Sequence, residues 1–219
     1  MESFYRAAVT QGSEAGERFG VELEAWQVLS SGQALIQLLQ TEYPHISKVY
    51  LIGEAGLVGI LTQAGYQISE QDAQAVIVSL DRELTYDKLR TANRLVRQGA
   101  ALIATNSDPS IPTPGGLEPG AGAILAAVES AAGVQAAIAG KPNPQVYQLA
   151  MQRLGTSARE TLVVGDRLET DISGAQSLGC RTALVLSGVT SADAAQTWSP
   201  APDLIAQDLG QLLELIQQD

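Results

Sequence analysis

The sequence is poor in the residues that build soft metal sites and covalent cross-links: it has one cysteine and one histidine in 219 residues. A lone Cys180 admits no intrachain disulfide, so a reducing cytoplasm is the expected compartment. His45 follows Pro44 in a polar stretch and reads as a solvated loop residue. With one imidazole and one thiol, a zinc site of the usual kind is nearly excluded. Clustered Lys and Arg are missing too. The chain carries 13 basic against 24 acidic residues, a net charge of −11, which argues against nucleic acid or an anionic membrane as a partner. No apolar run approaches the roughly 20 residues of a membrane-spanning helix. The first ten residues hold Glu2 and Arg6 and have no long apolar core, unlike a signal peptide.

What remains is an ordinary globular composition, 45% hydrophobic and 17% charged, in a chain long enough for one large or two small domains. Apolar runs of strand length alternate with helical patterns. Strands are expected at Trp26–Leu29, Lys48–Gly53, Ala75–Leu80, Ala100–Ala104, Ala136–Ala139, Thr161–Val164 and Arg181–Leu186. Helices are expected at Met1–Phe19, Gly32–Leu39, Leu57–Ala64, Tyr86–Gln98, Gly122–Ala132, Pro144–Leu154 and Leu168–Leu178, and from Leu209 onward. Such alternation implies an α/β fold with parallel sheets and right-handed crossovers. The Pro/Gly-rich passage from Pro109 to Gly122 is the best candidate for a crossing between domains.

The chemistry centres on Gly165-Asp166-Arg-Leu-Glu-Thr-Asp171, which follows the Thr161–Val164 strand. Ligands of open α/β sheets bind beyond the carboxyl ends of strands, and two carboxylates there suit a hard cation such as Mg2+. An Asp at a helix start also serves as a cap, which accounts for one carboxylate but not for the whole pattern.

Three pieces together, Gly140-Lys141-Pro142, Gly165-Asp166 to Asp171, and Leu186-Ser-Gly-Val-Thr190, resemble the haloacid-dehalogenase (HAD) phosphatase superfamily. Lys48 to Glu54, Leu80 to Tyr86, Ile103 to Asp108 and Pro119 to Gly122 narrow the resemblance to the NagD-type, nitrophenylphosphatase-like branch with a C2 cap. It implies a partial Rossmann-like HAD core carrying an inserted α/β cap: a core remnant over 1–31, a cap over 32–114 and the rest of the core over 115–219. It also implies an Mg2+-dependent phosphatase of small phosphorylated metabolites. Asp166 would bind Mg2+, and Asp171 would support the site directly or through water. Lys141 would offset the charge of the phosphate and of the phospho-aspartyl intermediate. Thr105, Asn106 and Asp108 resemble the cap loop that shapes substrate choice, though ordinary turn chemistry explains the same residues equally well.

The family's D-x-D-G strand, whose first Asp is the nucleophile, does not precede the cap in this sequence. The resemblance therefore implies a catalytically impaired chain, because covalent phosphoryl transfer needs a carboxylate nucleophile. One substitute is Asp81 as a relocated nucleophile with Glu83 as acid/base, since Ala75 to Thr85 reads as a strand followed by D-x-E-x-T. The same residues also match the cap. The missing strand would lie beside Thr161–Val164, leaving that strand's backbone open to water. Completion by a second copy or by a separate N-terminal segment is expected, or else a role as a non-catalytic binding or assembly protein.

Overall fold

The computed structural model describes residues 23–113 and 115–217. The expected helix Met1–Phe19 and most of the expected core remnant 1–31 lie outside these residues. The chain divides into two compact units, one ending at Gly140 and the other starting at Lys141.

In the first unit, α1 (Ser31–Glu42), β1 (Lys48–Ile52), α2 (Ala55–Gln63), β2 (Gln67–Ile68), β3 (Ala75–Val78), α3 (Tyr86–Arg97) and β4 (Ala101–Ala104) follow in turn. A hairpin of β5 (Ser110–Thr113) and β6 (Gly116–Pro119), then α4 (Ala121–Ala132) and β7 (Ala137–Ile138), complete it. The sheet order is β2-β1-β3-β4-β7, parallel throughout, with Val49 opposite Ala75 and Ala75 opposite Ala101. This is a doubly wound order whose direction of winding reverses between β1 and β3. Strand alternation splits the core in two. Tyr50, Ile52, Val76 and Val78 meet Ala92 and Leu95 of α3 and Ile124, Leu125 and Val128 of α4 on one face. Val49, Leu51, Ala75 and Ile77 meet Leu35, Leu38 and Leu39 of α1 and Leu61 of α2 on the other. Each face is sealed, which is why these strands read as continuous apolar runs.

Local chemistry sets the ends of the helices. Ser30 and Gln33 form a reciprocal capping box at the start of α1, and Thr85 accepts the Lys88 amide at the start of α3. Trp26–Leu29 is not a strand: Ala25–Gln27 is a single 3-10 turn, tied by Trp26 Nε1 donating to Glu24 Oε2 at 2.8 Å and Glu24 N donating to Gln27 Oε1 at 2.7 Å. The Pro109–Gly122 passage is not where the units part. Its prolines and glycines build the β5–β6 hairpin, and β7 pairs with β4 of the same sheet, so the first unit runs on to Gly140 rather than stopping near residue 114.

The second unit holds α5 (Pro144–Leu154), β8 (Leu162–Gly165), a π turn (Leu168–Ile172) running into α6 (Ser173–Ser177), β9 (Arg181–Val185), α7 (Ala192–Thr197), β10 (Leu204–Ala206) and α8 (Leu209–Ile216). Its three strands are parallel in the order β10-β9-β8. Among the described residues β8 has a strand on one side only, and Val164 is 40% exposed. Its core is a set of small clusters around Leu168, Ile172 and Leu184, around Ala183, Val185 and Leu212, and around Tyr147, Ala175 and Cys180.

Candidate active site

Asp171 organises the second unit's loops. It is buried, 4% exposed, and each of its carboxylate oxygens has a separate task. Lys141 Nζ donates to Oδ1 at 2.6 Å. The amides of Asp166 and Arg167 donate to Oδ2 at 3.2 and 3.1 Å. A single carboxylate thus fixes the cation of one loop and the backbone of another, through charge-assisted bonds about twice as strong as neutral ones. The π turn makes this reach possible. The amides of Asp171 and Ile172 both donate to Arg167 O, at 3.0 and 3.2 Å, so the first helical turn is one residue wider than an α turn. Gly165 is obligatory, because a Cβ there would collide with the Asp171 carboxylate.

Asp166 stands at the end of β8, half-buried. Val189 N donates to its Oδ2 at 2.9 Å and Thr190 N donates to its carbonyl at 3.1 Å, which latches the Ser187–Thr190 loop onto it. Gly188 allows that approach: a Cβ there would overlap the Asp166 carboxylate. Among the described residues, nothing donates to Oδ1 of Asp166. Lys141 follows Gly140 directly, keeps half of its side chain exposed, and is joined to Pro142 by a cis peptide bond. The sequence-expected trio of Lys141, Asp166 and Asp171 is therefore brought together in one unit.

The remaining candidates lie in the first unit. Thr105 is 1% exposed, and its hydroxyl donates to Ser79 Oγ at 2.9 Å. With Ser79 it lines a cleft of about 190 Å³ beyond the carboxyl ends of β1, β3 and β4. Asn106 and Asp108 are partly exposed on the turn that follows, and Asp108 O accepts the Gly122 amide at 2.9 Å. Asp81 is 5% exposed, and both of its oxygens are engaged: Glu83 N donates to Oδ1 at 2.9 Å and Lys88 Nζ donates to Oδ2 at 2.7 Å. Glu83 is exposed, and its carbonyl accepts Lys88 Nζ at 3.1 Å. This is the bonding of a turn closed by an ion pair.

A HAD-hydrolase-like family model matches residues 138–212. The acid sugar phosphatase of Staphylococcus saprophyticus is 34% identical over 200 residues, spanning 91% of this chain and 77% of that protein. NagD from E. coli superposes with a TM-score of 0.84 at 30% identity, over 92% of this chain and 78% of NagD. The chain belongs to the NagD-type HAD-like hydrolases. Another solved structure similar to this NagD-type chain is a glycerol phosphate phosphatase from Mycobacterium tuberculosis in complex with magnesium, with a TM-score of 0.84 and 33% identity, covering 91% of this chain and 62% of that one.

The donor set fits a magnesium ion in part. Mg2+ is held by one or two carboxylates and keeps several waters, and Asp166 offers one unengaged hard oxygen at a strand end. Asp171 has no such oxygen to give. Among the described residues no three His, Cys, Asp or Glu side chains converge as a metal cage. Sequence reasoning missed the backbone contributors, Arg167 N and Val189 N, and it missed Tyr147. The two amides have no side-chain signature, and Tyr147 reads as one apolar position of α5.

Proposed function

We propose that this chain is a phosphomonoesterase of small phosphorylated metabolites, with Asp166 holding Mg2+ and Lys141 offsetting phosphoryl charge. The Asp171 hub carries this reading. It spends a buried carboxylate on holding a half-exposed lysine and the Asp166 loop in one geometry, which a packing role does not require. The bound ion would supply charge neutralisation on the phosphoryl oxygens. Lys141 adds a point charge where negative charge gathers in transfer, and Asp171 keeps its ammonium in place. Substrate selection is assigned to the Thr105–Asp108 turn, with Asn106 and Asp108 as its accessible side chains. The acidic, cysteine-poor composition favours a cytoplasmic location.

The attacking carboxylate is assigned to an aspartate on a strand that pairs with the side of β8 left without a strand among the described residues. The engagement of both Asp81 oxygens weighs against a relocated nucleophile there. That side of β8, without a strand among the described residues, also favours a second reading, a binding or assembly protein that retains the site without turnover.

Phosphate release from an aryl phosphate by the full chain, with and without Mg2+ and with Asp166→Asn as control, separates the two readings. Turnover that requires both Mg2+ and Asp166 supports the phosphatase. A folded chain that binds Mg2+ but releases no phosphate supports the binding protein. Turnover indifferent to Asp166 overturns the site.

A further inference from the structure

We propose that Tyr147 is a positioning residue: its hydroxyl holds the π turn so that Asp171 keeps the Asp166 loop in its cation-binding geometry. The cation part of this proposal rests on the reading of Asp166 given above; the loop part does not.

Tyr147 lies in the first turn of α5, six residues beyond Lys141, and is 7% exposed. Its hydroxyl donates to Thr170 O at 2.6 Å, with Asp171 O also near at 3.2 Å. Both carbonyls belong to the π turn. Among the described residues, no other side chain donates to either. Gly174 makes room for this contact: a Cβ there would meet the Tyr147 ring at 2.5 Å, Pro142 O at 2.7 Å and the phenol oxygen at 2.9 Å. One side chain therefore ties α5 to the turn that carries Asp171. Burial, and then the neighbouring Asp171 charge, hold the phenol well above its ordinary ionisation range, so it stays a neutral donor.

The physical need for such a clamp follows from the turn itself. A π turn is rare and occurs mostly as a single-turn bulge within an α-helix, so the neighbouring α turn is the ready alternative. Relaxation to an α turn would swing Asp171 around the helix axis. The Asp166 and Arg167 amides would lose their acceptor, and Lys141 would lose its partner. A core role alone asks only for the ring, which phenylalanine supplies. The hydroxyl is the part that acts on the loop.

The test compares the wild-type full chain, Tyr147→Phe and Asp166→Asn. Mn2+ is titrated by electron paramagnetic resonance, and amide hydrogen exchange is read at Asp166 and Arg167, with Ala183 and Val185 of β9 as internal controls. Tyr147→Phe is expected to speed exchange at the two loop amides about tenfold, the worth of one hydrogen bond, with the β9 amides unmoved. It is also expected to weaken Mn2+ binding about fivefold or more, while Asp166→Asn abolishes it. Exchange and Mn2+ affinity both within twofold of wild type would overturn the proposal. Faster loop exchange with unchanged Mn2+ affinity, in a chain where Asp166→Asn abolishes binding, would overturn it as well. If Asp166→Asn leaves Mn2+ binding intact, the metal assignment fails instead, and the exchange data alone decide what Tyr147 does.

Discussion

Single atoms set the geometry around Asp166. Two glycines leave the space that its neighbours occupy: Gly165 clears the Asp171 carboxylate and Gly188 clears the Asp166 carboxylate. Gly188→Ala should push the Ser187–Thr190 loop away and break the bonds from Val189 N and Thr190 N to Asp166. The expected cost is about 2–3 kcal/mol in stability, with weaker Mn2+ binding. A urea midpoint and a Mn2+ titration check this, and wild-type values in both would mean the loop adapts without strain. At this scale the sequence was legible where chemistry has a side chain. Asp166, Asp171 and Lys141 all stood out in the motifs, and all three fall in one place. The division of labour was not legible. Two aspartates in one motif look alike in a sequence, and only the direction of each carboxylate shows that Asp171 serves Lys141 and two amides while Asp166 keeps an oxygen free.

Among the elements, those with a strong period or a clear stop matched their expected limits closely. β1, β3 and β4 are apolar runs because both faces of their sheet are covered, and α5 starts at Pro144 behind Asn143 and stops at Gly155. Gly155 sits at φ 69, the left-handed region that a side chain resists, and its amide returns to Met151 O. Gly155→Ala should therefore cost about 1 kcal/mol by chemical denaturation with the helix otherwise intact. An unchanged midpoint would show that the αL cap carries no strain. Short elements escaped notice for physical reasons. β2 and β10 are two and three residues long, too short for any period. The hairpin's prolines and glycines advertise a break in regular structure without saying that the chain turns back on itself. The π turn is invisible because the expected helix Leu168–Leu178 has the right spacing for an α-helix.

For the whole molecule, the two units differ in how much core they own. The first has a sheet covered on both faces by large apolar clusters. The second has small clusters, a strand with one neighbour among the described residues, and Leu209 and Leu213 each 60% exposed. Residues 23–140 alone should unfold in one cooperative transition, and residues 141–219 alone should melt broadly, with near-ultraviolet circular dichroism as the readout. A sharp transition from the second piece would show that its clusters suffice. The two units part after Gly140, a place with no composition signal, because pairing between β4 and β7 skips over the hairpin and α4, and a sequence shows composition changes rather than pairing partners.

That same skip has a consequence in time. During synthesis β4 emerges from the ribosome well before the strand that will cover its outer edge, with roughly thirty residues still to be made. At about 5–20 residues per second the wait is on the order of a few seconds, far longer than local helices take to form. Through that interval the nascent chain presents an apolar, half-paired parallel strand, so its yield in the cell should depend on elongation rate and on chaperones that shield edges, whatever the stability of the finished protein.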